Sequence, residues 1–525
     1  MIKRTFLALA LTSLSVASTS AQNTNYEAAP VTAPPAATAP VGQATVNAAP
    51  AAGCDDVGCA MPPSQAEGCA DVGCAGAGCV EEDCLTHDLN AIFGDKPLLH
   101  CLRDQEAGPF KYSVGGALRH RFMNEKNRIR PGGPAQSDYD LWRFTPYIDM
   151  SYDDTVSAHV EAIDASAFGY DAPLFPLGID VNRFDLLQAY VDLKLAELEG
   201  GGTLKYRFGR QFLKYGSQHL LSPLAWANTF RNFEGHKLMY STKEWDVDGF
   251  YMQSVNNGAG GSGYSDISFD TADSDRTVSG IYSTYKGMKD STLDLYWLHF
   301  DEANDTVNRM DGERDTFGAR VAGTKAIKEC DKVVGTWNWD LEGAFQTGTD
   351  SFLTGANQDV SAGFLSATGG YQFNSMPWSP KVNGIFYYGS GDDDPTDGDL
   401  NTVYTLYPLG HAYWGLIDNF SGQNLLDYGV SATVKPHDKF TFAATWHKFR
   451  LAEENDALYN IAGAPFALAS DDIGSEVDLV GTLALTKNIN IQLGYFWFFY
   501  GDGVNNSPIA RPDATQFYAQ TILTF

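Results

Sequence analysis

From about residue 110 to the end, apolar and polar side chains alternate in runs of about ten residues, and this rhythm limits the possible folds more than any other feature. In Leu141–Tyr152, Trp142, Phe144, Ile148, Met150 and Tyr152 share one face, and Arg143, Thr145, Tyr147, Asp149 and Ser151 share the other. In Trp337–Thr347, Trp337, Trp339, Leu341 and Phe345 oppose Asn338, Asp340, Glu342 and Gln346. In Ile489–Tyr500, Ile489, Ile491, Leu493, Tyr495, Trp497 and Phe499 oppose Asn490 and Gln492. Period two places such sets on opposite faces of a strand, and about ten residues is what a tilted strand needs to cross hydrocarbon. Eighteen runs are legible, from about 111–122 to 514–525, with 315–324 and 337–347 as the tenth and eleventh.

The connections sharpen the reading. Only Asp153-Asp154 separates the second and third runs, and Pro436-His437-Asp438 the fourteenth and fifteenth. More than thirty residues separate the thirteenth and fourteenth. Alternating short and long connections are the habit of transmembrane barrels, whose periplasmic turns are tight and outer loops long. The expected fold is all-β, a transmembrane antiparallel β-barrel of about eighteen strands. The last run places Phe517, Ala519, Thr521, Leu523 and Phe525 on one face, resembling the C-terminal signal read by barrel-assembly machinery. No second long apolar run follows the first twenty residues, which excludes a helical membrane protein. A soluble secreted β-protein is the competing architecture.

The opening residues address the chain outward. Lys3 and Arg4 precede an apolar stretch from Phe6 to Val16, and Thr19-Ser20-Ala21 supplies the small residues of a cleavage site, so 1–21 reads as a signal peptide. Residues 22–53 form an Ala/Pro-rich linker that cannot build a core. Residues 54–109 are cysteine-bearing, with Cys54, Cys59, Cys69, Cys74, Cys79, Cys84 and Cys101; Cys330 stands alone later. CDDVGCA is echoed as CADVGCA, and an oxidising compartment favours disulfides over metal for these cysteines. The barrel is expected over 110–525, in the cell outer membrane.

A formal net charge of -29 argues against nucleic acid, which needs basic surfaces. No GxSxG, HExxH or P-loop pattern is present, and His159, His236, His411 and His447 are scattered, so no enzyme, cofactor or metal centre is expected. GDDDPTDGD (391–399) could offer oxygens to Ca²⁺, but it lacks the EF-hand pattern and reads as a solvated acidic loop or an inward gate.

With aromatic faces toward lipid, the opposite faces line the interior. That row holds Arg119, Arg121, Arg143, Lys205, Arg207 and Arg320, with acids Asp149, Glu161, Asp192, Asp340, Glu342 and Asp478. A guanidinium offers a planar donor fork to carboxylate or phosphate. Nearby acids would temper binding so that solute can leave. The alternative is that these charges simply pair with one another.

Three separated stretches carry a resemblance: RFGRQFLKYGSQHLLSPLAWANTFRNFEGHKL (207–238), WDLEGAFQTG (339–348) and YYGSGDDDPTDGDLNTVYTLYPLGHAYWG (387–415), followed by YNIAG and IGSEVDL. In this order they are similar to the alginate export family of outer-membrane barrels, across roughly 110–525. The resemblance implies a monomeric eighteen-stranded barrel whose arginine-rich pore passes the polyuronate alginate. Arg119, Arg121, Arg143, Arg207, Arg210 and Gln211 are the positions it assigns to the pathway. Two departures accompany it: the late periplasmic turn is only about Thr486 to Asn488, and the cysteine-bearing extension is no part of the pattern. The expected partners are outer-membrane lipid and an anionic polysaccharide or small polar solute. A periplasmic or peptidoglycan partner could engage 54–109. A general or anion-selective porin, or a wall-anchored structural protein, are the competing roles.

Overall fold

The computed structural model describes residues 98–99, 102–256, 269–303, 311–351 and 357–525. The expected signal peptide, the linker and the cysteines before residue 102 lie outside the described residues.

Each alternating run becomes a strand. They are β1 (Phe110–Lys126), β2 (Gln136–Tyr152), β3 (Val156–Phe168), β4 (Asn182–Leu198), β5 (Gly202–Gln211) and β6 (Phe233–Ser241). Next come β7 (Trp245–Asn256), β8 (Thr271–Tyr285), β9 (Ser291–Glu302), β10 (Gly312–Glu329), β11 (Lys332–Asp350) and β12 (Gln358–Gln372). The series ends with β13 (Lys381–Gly389), β14 (Leu425–His437), β15 (Phe440–Leu451), β16 (Asp472–Ala484), β17 (Ile489–Tyr500) and β18 (Ala514–Thr524). Sequential neighbours pair antiparallel, and β18 pairs with β1 from Ala117↔Thr524 to Lys126↔Thr515, which closes the barrel and removes its edges. No helix among the described residues is long and apolar enough to cross a membrane; this barrel crosses with strands.

The outward faces carry the lipid belt. Trp142, Phe144, Met150, Trp337, Leu341, Phe345, Leu493, Tyr495 and Phe499 are all exposed at pleat positions facing away from the lumen. A continuous apolar band of this kind would be a liability in water and is solvation in hydrocarbon. Tight turns follow the expected chemistry: Asp153 and Asp154 both adopt left-handed φ, 47° and 49°, as a two-residue hairpin turn of matching twist requires.

Two expectations need correction. The tenth and eleventh strands were expected to be joined by residues 325–336, but β10 and β11 continue to a two-residue turn at Cys330 and Asp331, with φ of 46° and 62°. Their alternation is masked by Gly, Thr and Lys, which pair well through the backbone but give a weak apolar signal. Nor is the lumen uniformly polar. Phe496, Phe498 and Tyr500 of β17 face inward and are fully buried or nearly so.

The cause lies in two loops that fold into the barrel. β5, β6 and β13 have only 9 or 10 residues, and the chain leaves the wall early at 212–232 and again at 390–424. These segments start eight strands apart and meet inside. Tyr407 N–H donates to Leu220 O (2.9 Å), Ser222 N–H to Tyr407 O (2.9 Å) and Leu409 N–H to Gln218 O (2.8 Å). Trp226, Trp414, Ile417 and Phe420 from the loops pack on Phe449, Phe496, Phe498 and Tyr518 from the wall. The hydrophobic core of this protein therefore sits in its lumen.

Candidate functional site: the arginine-bearing lumen

Arg119 and Arg121 lie two residues apart on β1, hence on one face, and Arg143 of β2 stands directly across from Arg119. Like charges at facing positions destabilise a sheet unless something compensates. Here the compensation is backbone. Arg119 donates to the carbonyls of Ala225 (3.3 Å), Trp226 (3.1 Å) and Ala227 (2.8 Å) and to Asn228 Oδ1 (3.0 Å). Arg143 Nη1 donates to the same Ala225 (3.0 Å) and Ala227 (2.9 Å) carbonyls, and its guanidinium lies over Phe230. Arg121 donates through Nε to Gln520 (2.9 Å) and stacks on Trp226 at 3.4 Å. Arg119 Nε and Arg121 Nη2 are buried without a hydrogen-bond partner. Among the described residues, no carboxylate lies within ion-pairing distance of any of the three.

The segment that supplies these carbonyls is itself held. Asn228 Nδ2 donates to the carbonyls of Trp142 (2.9 Å), Ser166 (3.0 Å) and Asp180 (2.9 Å), so one buried amide joins β2, β3 and the loop after β3 to Arg119. Trp226 lies between Arg121 and the ring of His411, 4.1 Å away. His411 Nδ1 is 2.9 Å from Asp418, in the second inward loop. Burial holds the His411 imidazole well below its usual range and lifts the Asp418 carboxyl well above the ordinary one. A space of about 40 Å³ remains between Arg121, Trp226, Asn228, Asp180 and Asp418.

The other expected pathway cations are differently placed. Arg207 forks onto Asp192 (2.6 and 2.8 Å) and stacks on Tyr190 at 3.7 Å. Arg320 forks onto Asp340 (2.7 and 2.6 Å) and reaches Asp294 (2.9 Å). Lys205 shares the inward row of Arg207 and is exposed toward the short-turn mouth. Asp149 meets His159 (2.6 Å), and Glu161 accepts from Gln188 (2.8 Å). Glu342 is buried with Ser217, His219 and Tyr296.

Arg210 does not join the lumen row. Arg210 is three residues from Arg207, so the pleat turns it out of that row. It is enclosed by Asp185 (3.3 Å), Leu186 O (2.9 Å), Glu234 (3.4 Å) and Asp270 O (2.6 Å). Gln211, four residues from Arg207 and opposite the inward Phe233, keeps to the lumen face but is fully buried where β5 leaves the wall, donating to Gly209 O (3.3 Å).

The acidic run 391–399 binds itself and its neighbour. Asp392 N–H donates to Asp456 (3.0 Å), Asp394 N–H to Asp392 (3.3 Å) and Asp399 N–H to Asp397 (2.8 Å). No group of three or more metal-ligating side chains gathers among the described residues. Sequence reasoning missed Trp226 and Asn228. Both stand in the motif that carries the family resemblance, yet nothing in their spacing announces which strand they will cap.

Residues 110–516 match the model of the family described as "Alginate export". No curated protein matches the chain. Among solved structures, the outer membrane protein OprD from Pseudomonas aeruginosa aligns with a TM-score of 0.51 at 11% identity, over 79% of this chain and 93% of its own. OccAB2 from Acinetobacter baumannii gives 0.53 at 11% identity, over 78% and 98%. OpdK from Pseudomonas aeruginosa, solved with vanillate, gives 0.51 at 11% identity, over 78% and 98%. At such identities the likeness is one of fold.

Proposed function

Because the chain belongs to the alginate export family and is an outer-membrane channel for solutes, we propose that its solute is anionic and passes over the arginines of β1 and β2. The observation that carries this reading is the trio Arg119, Arg121 and Arg143, none of which ion-pairs with a carboxylate among the described residues. Three guanidinium groups held by carbonyls, side-chain amides and rings rather than by ion pairs favour a positive wall, and a carboxylate is an anion their fork fits. An alginate-type polyuronate, with one carboxylate per sugar, is the substrate class the family suggests. The ion pairs at Arg207, with one carboxylate, and Arg320, with two, flank the path without adding positive charge.

Passage of small carboxylates is the second reading. It is favoured by the loops that narrow the lumen, and by the vanillate, itself a carboxylate, with which one structural neighbour was solved. In both readings the barrel works as a monomer with its own path and catalyses nothing, and residues 1–109 act as export signal, spacer and a periplasmic contact region.

Reversal potentials in planar bilayers test the shared claim. Anion selectivity that falls in Arg143→Glu supports it; a pore indifferent to charge, or unchanged by that substitution, overturns it. Conductance block by polyuronate against block by small carboxylates then decides between the two readings.

A further inference from the structure

We infer that the segment Ala225–Asn228 is a built-in competitor of the solute: its carbonyls occupy the guanidinium groups that a solute carboxylate takes, so an arriving anion releases the loop that blocks its own path. The inference rests on the reading of the lumen as a carboxylate path and adds a regulation of that site.

The geometry supplies the competition. Arg119 and Arg143 converge on the same two carbonyls, Ala225 and Ala227, as two guanidinium groups would on the oxygens of one carboxylate. A carbonyl is a neutral acceptor. Its bonds to a guanidinium lack the direct charge–charge attraction that an anionic acceptor adds, and only the carboxylate matches the planar donor fork bidentately. Arg119 Nε and Arg121 Nη2, buried and without partners, are donors the carbonyls leave unused, and they are a further gain open to an anion with several lone pairs.

Displacement also frees the path. Trp226 lies in the same segment and covers Arg121, so moving the strap uncovers the third arginine. The neighbouring space of about 40 Å³ exceeds the roughly 10–15 Å³ a water needs but is too small for a sugar. A larger solute therefore enters only as the strap leaves. Asn228 is the positioning residue: its three donated contacts to Trp142, Ser166 and Asp180 carbonyls hold the strap in place. The strap can exchange with solute because its grip on Arg119 and Arg143 contains no opposite charge.

The test uses the full chain in planar bilayers at constant chloride, with galacturonate or galactose added at equal concentration. Galacturonate is expected to raise the open probability about tenfold, within the usual range of coupling between sites, and galactose to leave it unchanged. Asn228→Ala is expected to open without galacturonate and to lose most of the response. Arg143→Lys keeps the charge but loses the fork, so it retains anion selectivity while its response to galacturonate falls; it tests the idea if Asn228→Ala does not fold. Equal effects of galacturonate and galactose in a channel that remains anion-selective overturn the strap and leave the proposed function standing. Loss of anion selectivity in the unsubstituted protein instead removes the proposed function beneath it.

Discussion

The β1–β2 wall and the β9–β11 wall both carry buried arginines, yet they solve opposite problems. Arg320 lies between Asp294 and Asp340, and its charge is cancelled where it stands. Arg119, Arg121 and Arg143 repel one another and are satisfied by carbonyls, an amide and aromatic faces. A cation bracketed by carboxylates builds wall; a cation held by hydrogen bonds without an ion pair keeps a field that reaches solute. The difference teaches that arginine count says little about a channel, and that the partner of each arginine says much.

Charge reversal breaks the contrast most sharply. Arg143→Glu is expected to lower the chloride-to-potassium permeability ratio by roughly tenfold or more, since unit charges about 4 Å apart interact by about 4 kcal/mol at an intermediate effective dielectric. Removing Arg320 and Asp340 together, as Arg320→Gln with Asp340→Asn, is expected to leave that ratio nearly unchanged. A comparable shift in both variants would erase the distinction between the two walls.

Stability gives the next largest effect, in the reverse sense. Arg320→Gln alone strands Asp294 and Asp340. Breaking a buried pair costs about 3–5 kcal/mol, and the partial exposure of Asp340 reduces this to about 2–3 kcal/mol. The heat-induced gel shift should occur at lower temperature, and Asp340→Asn should restore part of the loss. Trp226→Ala removes a buried aromatic from the Arg121–His411 stack. It is expected to cost about 3 kcal/mol locally and to raise single-channel conductance by loosening the inward loops.

Acid gives the smallest and most selective effect. His411 has a depressed folded pKa, so its contribution is complete above the unfolded value of about 6.5 and is lost as pH falls through the folded value. Asp418 has a raised folded pKa, so its contribution is complete below about 3.8 and is lost as pH rises through the folded value. The two oppose one another between these limits. Asp418→Asn removes one side, so its thermal stability in detergent is expected to fall more steeply below pH 6.5 than that of the unsubstituted protein. Parallel curves would show that His411 is not held neutral.

Much of the wall was legible in advance because period two is a local property. Trp142, Phe144 and Arg143 are assigned to faces by counting, and a strand in lipid leaves no other arrangement of its backbone hydrogen bonds. The hairpin at Cys330 was hidden because Thr324, Lys325 and Gly335 pair through main chain rather than through apolar side chains. Arg210 was misplaced because it shares a motif with Arg207, while three positions on a pleated strand mean the other face.

By itself, then, the chain's pattern determined that a closed barrel forms, which faces meet lipid, and that arginines occur on the inward rows. Only the tertiary structure decided which arginines remain uncancelled, because that depends on loops 212–232 and 390–424 crossing the lumen to meet strands far away in the chain. Strand alternation is written in neighbours along the sequence. The partner of a buried charge is set by contacts separated by a hundred residues or more, such as Arg119 with Asn228, and no local rule encodes them.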